Sequence, residues 1–278
     1  MTFPSVRITD DLRLAGALLA AGAWPAQEQT AKAYKPHRVA ETARHYFAPH
    51  RSHAAVQAAG ALAAAAGAQA LYAHAAAGAW PAGLAEHLAD FQAAAQPAAL
   101  WADTGAAWEQ AEQDVCAVLE RADLPGFLAT VFGPLPQRLV VYPNLLYPGR
   151  QPLAVDAAAD LLVCQPPPPA WGASPPWRYS ERPDEVLAAL ATTAAEALFE
   201  RRLPPEHAAL RPQALVFALA AAVLFLRHAE DPAAGDQFMV MEKKARGLPQ
   251  LPVVVARLEA ALERHPASVG DVVAEVLG

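Results

Sequence analysis

Apolar positions along this chain recur mostly at helical spacing, and the breaks between runs fall at prolines. From Asp10 to about Leu128, segments rich in Ala, Leu and Gln are interrupted at Trp24-Pro25, Pro36, Pro49, Trp80-Pro81 and Pro97, which predicts a layer of packed helices. The run Ala54 to Ala77 is mostly alanine. Val56, Leu62, Leu71 and Tyr72 give it larger contacts, and alanine is the best helix former, so it reads as packed helix rather than tether. The texture changes at Phe132-Gly133. From there through Pro183 lie 12 of the 26 prolines, with β-type runs at Arg138 to Tyr142 and Asp160 to Cys164. These give two or three strands, depending on whether the first continues through Asn144 to Tyr147, with a turn at Pro148-Gly149. The segment Gln165 to Trp177 carries four consecutive prolines and two tryptophans. It is a polyproline-type surface loop, with a recognition element as the sharper alternative.

A strong helix opens at Pro183-Asp184-Glu185, with Asp184 as its N-cap, and runs to about Arg202. At 100° per residue Leu187, Leu190, Ala191, Ala194 and Leu198 share its core face, while Glu185, Thr192, Thr193, Glu196 and Glu200 lie opposite. An almost wholly apolar helix follows, from near Pro212 to about His228, and a last one covers Leu251 to Arg264. No linker long enough to separate independent domains is visible. The expectation is a single domain over 1–278: a helical layer about 10–128, a small sheet and proline-rich loop about 132–183, and C-terminal helices about 184–278. The fold class is α+β, predominantly helical.

Composition narrows the function classes. Alanine supplies about a quarter of the chain, so the hydrophobic fraction of 54% overstates the bulky core. A net charge of −7 without a basic stripe argues against a nucleic-acid binder. Cys116 and Cys164 lie too far apart for a zinc knuckle and read as free thiols in a reducing compartment. The apolar stretch Leu14 to Trp24 follows Asp10 and Asp11, not the positive region that an export signal needs. The longest uncharged apolar run, Ala214 to Leu226, falls short of the roughly 20 residues of a bilayer span. A cytoplasmic protein, off the membrane, is expected.

Candidate chemistry is sparse. His45, His50 and His53 fall within nine residues, with His37 upstream, but Pro49 interrupts them and no acidic residue or cysteine sits among them. Hydrogen-bonded structural histidines, or one that lines a cleft, are the plainer reading. Nucleophile elbows, phosphate loops and dinucleotide fingerprints are absent from the sequence.

The order of features nevertheless resembles a bacterial family of zincin-like metallopeptidases of uncharacterised function. The likeness rests on Tyr46-Phe47 followed by His53, then Phe132-Gly133 before the strand Arg138 to Tyr142, then a helix in the place of the His-Glu-x-x-His helix. The resemblance implies a zincin-like core, with the sheet at about 138–164 packed on the helix 184–202. Laid over Ala195-Glu196-Ala197-Leu198-Phe199, the motif keeps its general-base glutamate at Glu196 and puts Ala195 and Phe199 where the two histidine ligands stand. The third ligand position falls at Gln213. A second register, Thr192 to Glu196, also lacks histidines. The resemblance therefore implies no cofactor and a catalytically inactive module that binds a peptide or protein, with Glu196 a relic and Tyr46, His53, Tyr142, Thr192, Thr193 and Glu200 at the cleft. A metal-dependent hydrolase with non-standard ligands, drawing on His45, His50 and His53, is one alternative. A helical assembly protein is the other.

Overall fold

The computed structural model describes residues 4–22, 35–146, 151–170, 177–229, 231–264 and 269–277. The turn at Pro148-Gly149, Tyr147, Trp24 and Trp171 lie outside the described residues. The fold is α+β and mostly helical, with 13 helices and one four-stranded mixed sheet among the described residues. Residue proximity groups the chain into two compact units, Ser5–Cys116 with Val140–Arg182, and Met1–Pro4 with Ala117–Leu139 and Pro183–Gly278.

The first, sheet-bearing unit begins with β1 (Ser5–Val6) and α1 (Asp10–Ala21). Thr9 caps α1 by accepting from the Leu12 amide, and Asp10 and Asp11 occupy the first turn, where carboxylates offset the helix dipole. There follow α2 (Arg38–Phe47), α3 (Ala54–Ala66), α4 (Ala68–Ala77), α5 (Ala82–Ala95), α6 (Pro97–Asp103) and α7 (Gly105–Leu119). Helices α2, α3 and α4 gather around α1. The alanine-rich run is thus two helices, bent by 116° at Gly67, whose φ of 80° is open to glycine without the Cβ clash. Alanine allows close approach, and at Gly16 of α1 even a methyl is too large: an added Cβ would stand 2.8 Å from the Leu146 Cβ.

The sheet runs β1-β2-β4-β3, with β2 at Arg138–Pro143, β3 at Leu153–Ala157 and β4 at Asp160–Gln165. Ser5 pairs with Val140 in parallel, and β3 pairs antiparallel with β4 from Leu153↔Cys164 to Ala157↔Asp160. Every residue of β4 is buried, as is β2 from Leu139, so both read as continuous apolar runs rather than alternating ones. Helix α4 lies against β3. The first strand stops at Pro143 and does not continue through Asn144, because the Asn144 side chain turns the backbone, its Oδ1 accepting from the Leu146 amide at 3.2 Å. Strand β3 lies in the proline-rich stretch, where its short Leu-Ala-Val-Asp-Ala sequence gave no distinct β signal.

The second, helical unit contains α8 (Leu124–Phe132), α9 (Pro183–Arg202), α10 (Ala214–Ala229), α11 (Pro232–Arg246), α12 (Leu251–Glu263) and α13 (Val269–Leu277). Helix α10 is its axis: each residue from Val216 to Leu226 is buried, and α8, α9, α11 and α12 pack around it. With the 3₁₀ turns from Pro205 before it, α10 is part of a 25-residue helical stretch apolar enough to cross a membrane by length and composition, longer than the bare apolar run indicates. Burial by four neighbouring helices satisfies the same apolar composition. Helix α9 starts at Pro183, so Asp184 sits in its first turn, 4.0 Å from Arg121, rather than at the cap. Leu251–Glu263 is not the last helix; α13 follows. The sheet and α9 belong to different units.

Candidate functional site

The residues aligned with zinc ligands lie in the helical unit and are packing residues. Ala195 and Phe199 are both 0% exposed, and the Phe199 ring stands 5.1 Å from Phe217, which in turn meets Phe132 at 5.9 Å. Gln213 ends the 3₁₀ segment before α10 and is half-buried. On the opposite face of α9, Thr192, Thr193 and Glu196 are half-buried and Glu200 is exposed, in line with the 100° wheel. Burial raises the Glu196 carboxyl above its ordinary value, Glu200 adds to the rise, and Arg246 opposes it. The Thr192 hydroxyl is buried without a hydrogen-bond partner.

The histidines of the sheet-bearing unit have local duties. His37 caps α2 and His53 caps α3, each through Nδ1 accepting from a backbone amide two residues on, at 3.2 Å. The proton of His53 is therefore on Nε2, which donates to Asp90 of α5 at 3.2 Å. Burial lowers the His37 pKa. His45 bonds the Glu41 carbonyl one turn back, and the rings of His50 and His53 pack edge-on against Phe91. Among the described residues no group of three His, Cys, Asp or Glu side chains is placed to hold a metal ion.

What these contacts build is the seat of α5 and α6. Phe47 packs between Phe91 at 5.9 Å and Trp101 at 6.3 Å, and the Tyr46 hydroxyl donates to the Gln96 carbonyl at 3.0 Å. Gln96 joins the two helices with φ 45° and ψ 54°, a left-handed backbone on a non-glycine residue followed directly by Pro97. That conformation costs about 1–2 kcal/mol for an L side chain. Here a pocket of about 410 Å³ opens, lined by Asp10 and Leu14 from α1, Gln92 from α5, the junction residue Gln96, and Pro97 and Trp101 from α6.

Behind Trp101 the interior is aromatic and polar together. The Arg13 guanidinium holds Asp10 at 2.5 Å and lies over the rings of Trp101 and Trp108, 5.3 Å and 5.7 Å from their centroids. Trp108 stacks on Tyr142 at 6.0 Å, and Tyr72, 6.1 Å from Tyr142, accepts from the Asn144 amide at 2.7 Å. Three donors in this group, Arg13 Nε, Trp108 Nε1 and the Tyr142 hydroxyl, are buried with no acceptor. Tyr142 is 0% exposed, and burial raises its hydroxyl pKa well above the ordinary phenol value. It is an interior residue and does not line the pocket.

Of the positions singled out by sequence, Tyr46 and His53 thus bear on this pocket by seating its helices, Tyr142 is interior and does not line it, and the α9 set belongs to the other unit. Sequence reasoning passed over Asp10, Gln92, Gln96 and Trp101. The break at Pro97 was the one available signal, since it marks the junction where the pocket forms. In comparisons with protein-family models, curated proteins and solved structures, nothing matches the chain.

Proposed function

We propose that this protein is a non-enzymatic binding module for a peptide or a peptide segment of a protein partner, on a zincin-like framework in which packing has replaced the metal. Its recognition site is the pocket between α1, α5 and α6. The observation that carries the reading is Gln96. Glycine would hold that backbone at less cost, yet a glutamine stands there, among the residues that line the pocket. Gln92 and Gln96 each offer an amide donor and acceptor, the complement of a peptide group; Trp101 offers an apolar body, and Asp10 a carboxylate for an N–H donor. Ala195 and Phe199, both interior, support the loss of the peptidase centre.

The test is panning of a random hexapeptide display library on the purified full chain, with Gln92→Ala/Gln96→Ala beside it. A consensus enriched on the parent and lost on the variant is expected. No enrichment, or equal enrichment on both, sinks the reading. Stoichiometric zinc in the chain after dialysis against Zn²⁺ would count equally against it.

A second reading, homo-assembly, is favoured by one observation. The exposed large hydrophobics among the described residues, Val240, Met241 and Val253, all fall on α11 and α12, beside Lys243 and Lys244. Light scattering of the parent and of Val240→Glu/Met241→Glu decides it: a parent oligomer that the variant dissociates is expected, and a monomeric parent ends this reading.

A further inference from the structure

The helical unit has a pocket of its own, about 360 Å³, formed by α8, α10 and α12. That volume falls within the range of small-molecule sites. Phe127, Leu224 and Leu262 line it with apolar surface, and His228, Glu259 and Glu263 supply the polar groups. Their hydrogen-bonding senses are fixed. His228 Nδ1 donates to the Leu224 carbonyl at 2.7 Å, so in the neutral ring Nε2 is an acceptor. Thr130, also on the lining, spends its proton on the Gly126 carbonyl at 3.1 Å and presents lone pairs.

The charges point the same way. Arg227 gives Nε and one terminal nitrogen to Asp236, at 3.0 Å and 2.6 Å, and reaches Glu259 only at 3.5 Å with the other. Glu263, one helical turn beyond Glu259, has no ion pair among the described residues. The pocket therefore presents acceptors and surplus negative charge against an apolar wall. A bare divalent ion does not fit, because no three ligating groups converge here. We infer that this pocket binds a primary ammonium group carried on a short aryl or alkyl body, the ammonium held by the Glu259 and Glu263 carboxylates and the body packed on Phe127, Leu224 and Leu262.

The site lies outside the peptide pocket and does not depend on it. Calorimetric titration of the full chain tests it, with 2-phenylethylamine as probe and 3-phenylpropionate as its anionic counterpart. Saturable binding of the amine with a Kd of about 1 mM or tighter is expected, with none for the acid. Glu259→Gln/Glu263→Gln should weaken amine binding by about tenfold or more. On α12 Glu259 is half-buried and Glu263 exposed, so the variant keeps its fold, as circular dichroism will verify. Failure of the amine to saturate, equal binding of the acid, or unchanged binding by the double variant overturns the inference.

Discussion

The Tyr46 hydroxyl holds the Gln96 carbonyl at 3.0 Å, across 50 residues of sequence, and so pins a left-handed junction between two helices. The bond makes the strained backbone part of a fixed frame, with α2 on one side and the pocket of α5 and α6 on the other.

Replacing Gln96 by glycine removes the Cβ clash of the left-handed backbone but adds chain entropy to the unfolded state. The balance predicts a gain of about 0.5–1 kcal/mol in urea denaturation. Peptide binding should fall in the same variant. A loss of stability would mean that the Gln96 side chain serves the fold rather than a ligand.

Rebuilding the peptidase motif should fail. Ala195→His/Phe199→His inserts imidazoles into a close-packed interior and removes the Phe199–Phe217 contact, at a cost of at least about 3 kcal/mol. Equilibrium unfolding should show that loss, and equilibrium dialysis should show no stoichiometric zinc. Tight zinc binding without destabilisation would place these positions on an open site.

Glu196 titrates against the fold. Burial first, then Glu200, raises its folded pKa above the unfolded value, so its contribution to stability is fully present below the unfolded pKa and is lost as pH rises through the raised folded value. Glu196→Gln should therefore be more stable than the parent at neutral pH, with the two converging on acidification below the ordinary value of 4.5. Melting temperatures across the acidic to neutral range check the sign; a less stable variant at neutral pH would mean that the Arg246 attraction outweighs burial.

Asp114 behaves in the opposite sense. Burial raises its carboxyl, but hydrogen bonds from Arg178, Ser180 and Gln110 and the Arg178 charge together outweigh burial and hold it below 3.8. Arg178 Nε and one terminal nitrogen reach the two carboxylate oxygens at 3.0 Å and 2.6 Å, a bidentate pair. A depressed carboxyl contributes stability above its unfolded pKa and loses it as pH falls through the folded one. Asp114→Asn should be less stable at neutral pH and should lose less on acidification below about pH 4. Parallel loss in both proteins on acidification would remove Asp114 from the acid response.

The sequence by itself determined the helical class, the helix breaks at prolines but not those at Gly67 and Thr104, the two buried strands and the polar face of α9, because these follow from local periodicity and from proline's missing amide. Leu187, Leu190 and Leu198 are buried where the 100° wheel puts them, and Glu200 is exposed. Strand β3 was not legible, since its short Leu-Ala-Val-Asp-Ala run has no distinct β pattern, whereas α11, with its Asp231 cap, Pro232 and closing Gly247, and α13, with Val272, Val273 and Val276 on one face, carry local signals that the reading passed over. Only the tertiary structure decided what the chemistry-bearing residues do. His37 and His53 read in the sequence as hydrogen-bonded structural histidines, and only the structure shows that what they bond is the open end of a helix, a role set by backbone geometry. Asp10 and Trp101 stand 91 positions apart in sequence, yet both line one pocket, because α1 is the helix around which the unit packs. Such convergence leaves no periodic trace: each residue obeys its own helix, and the site exists only where the helices meet.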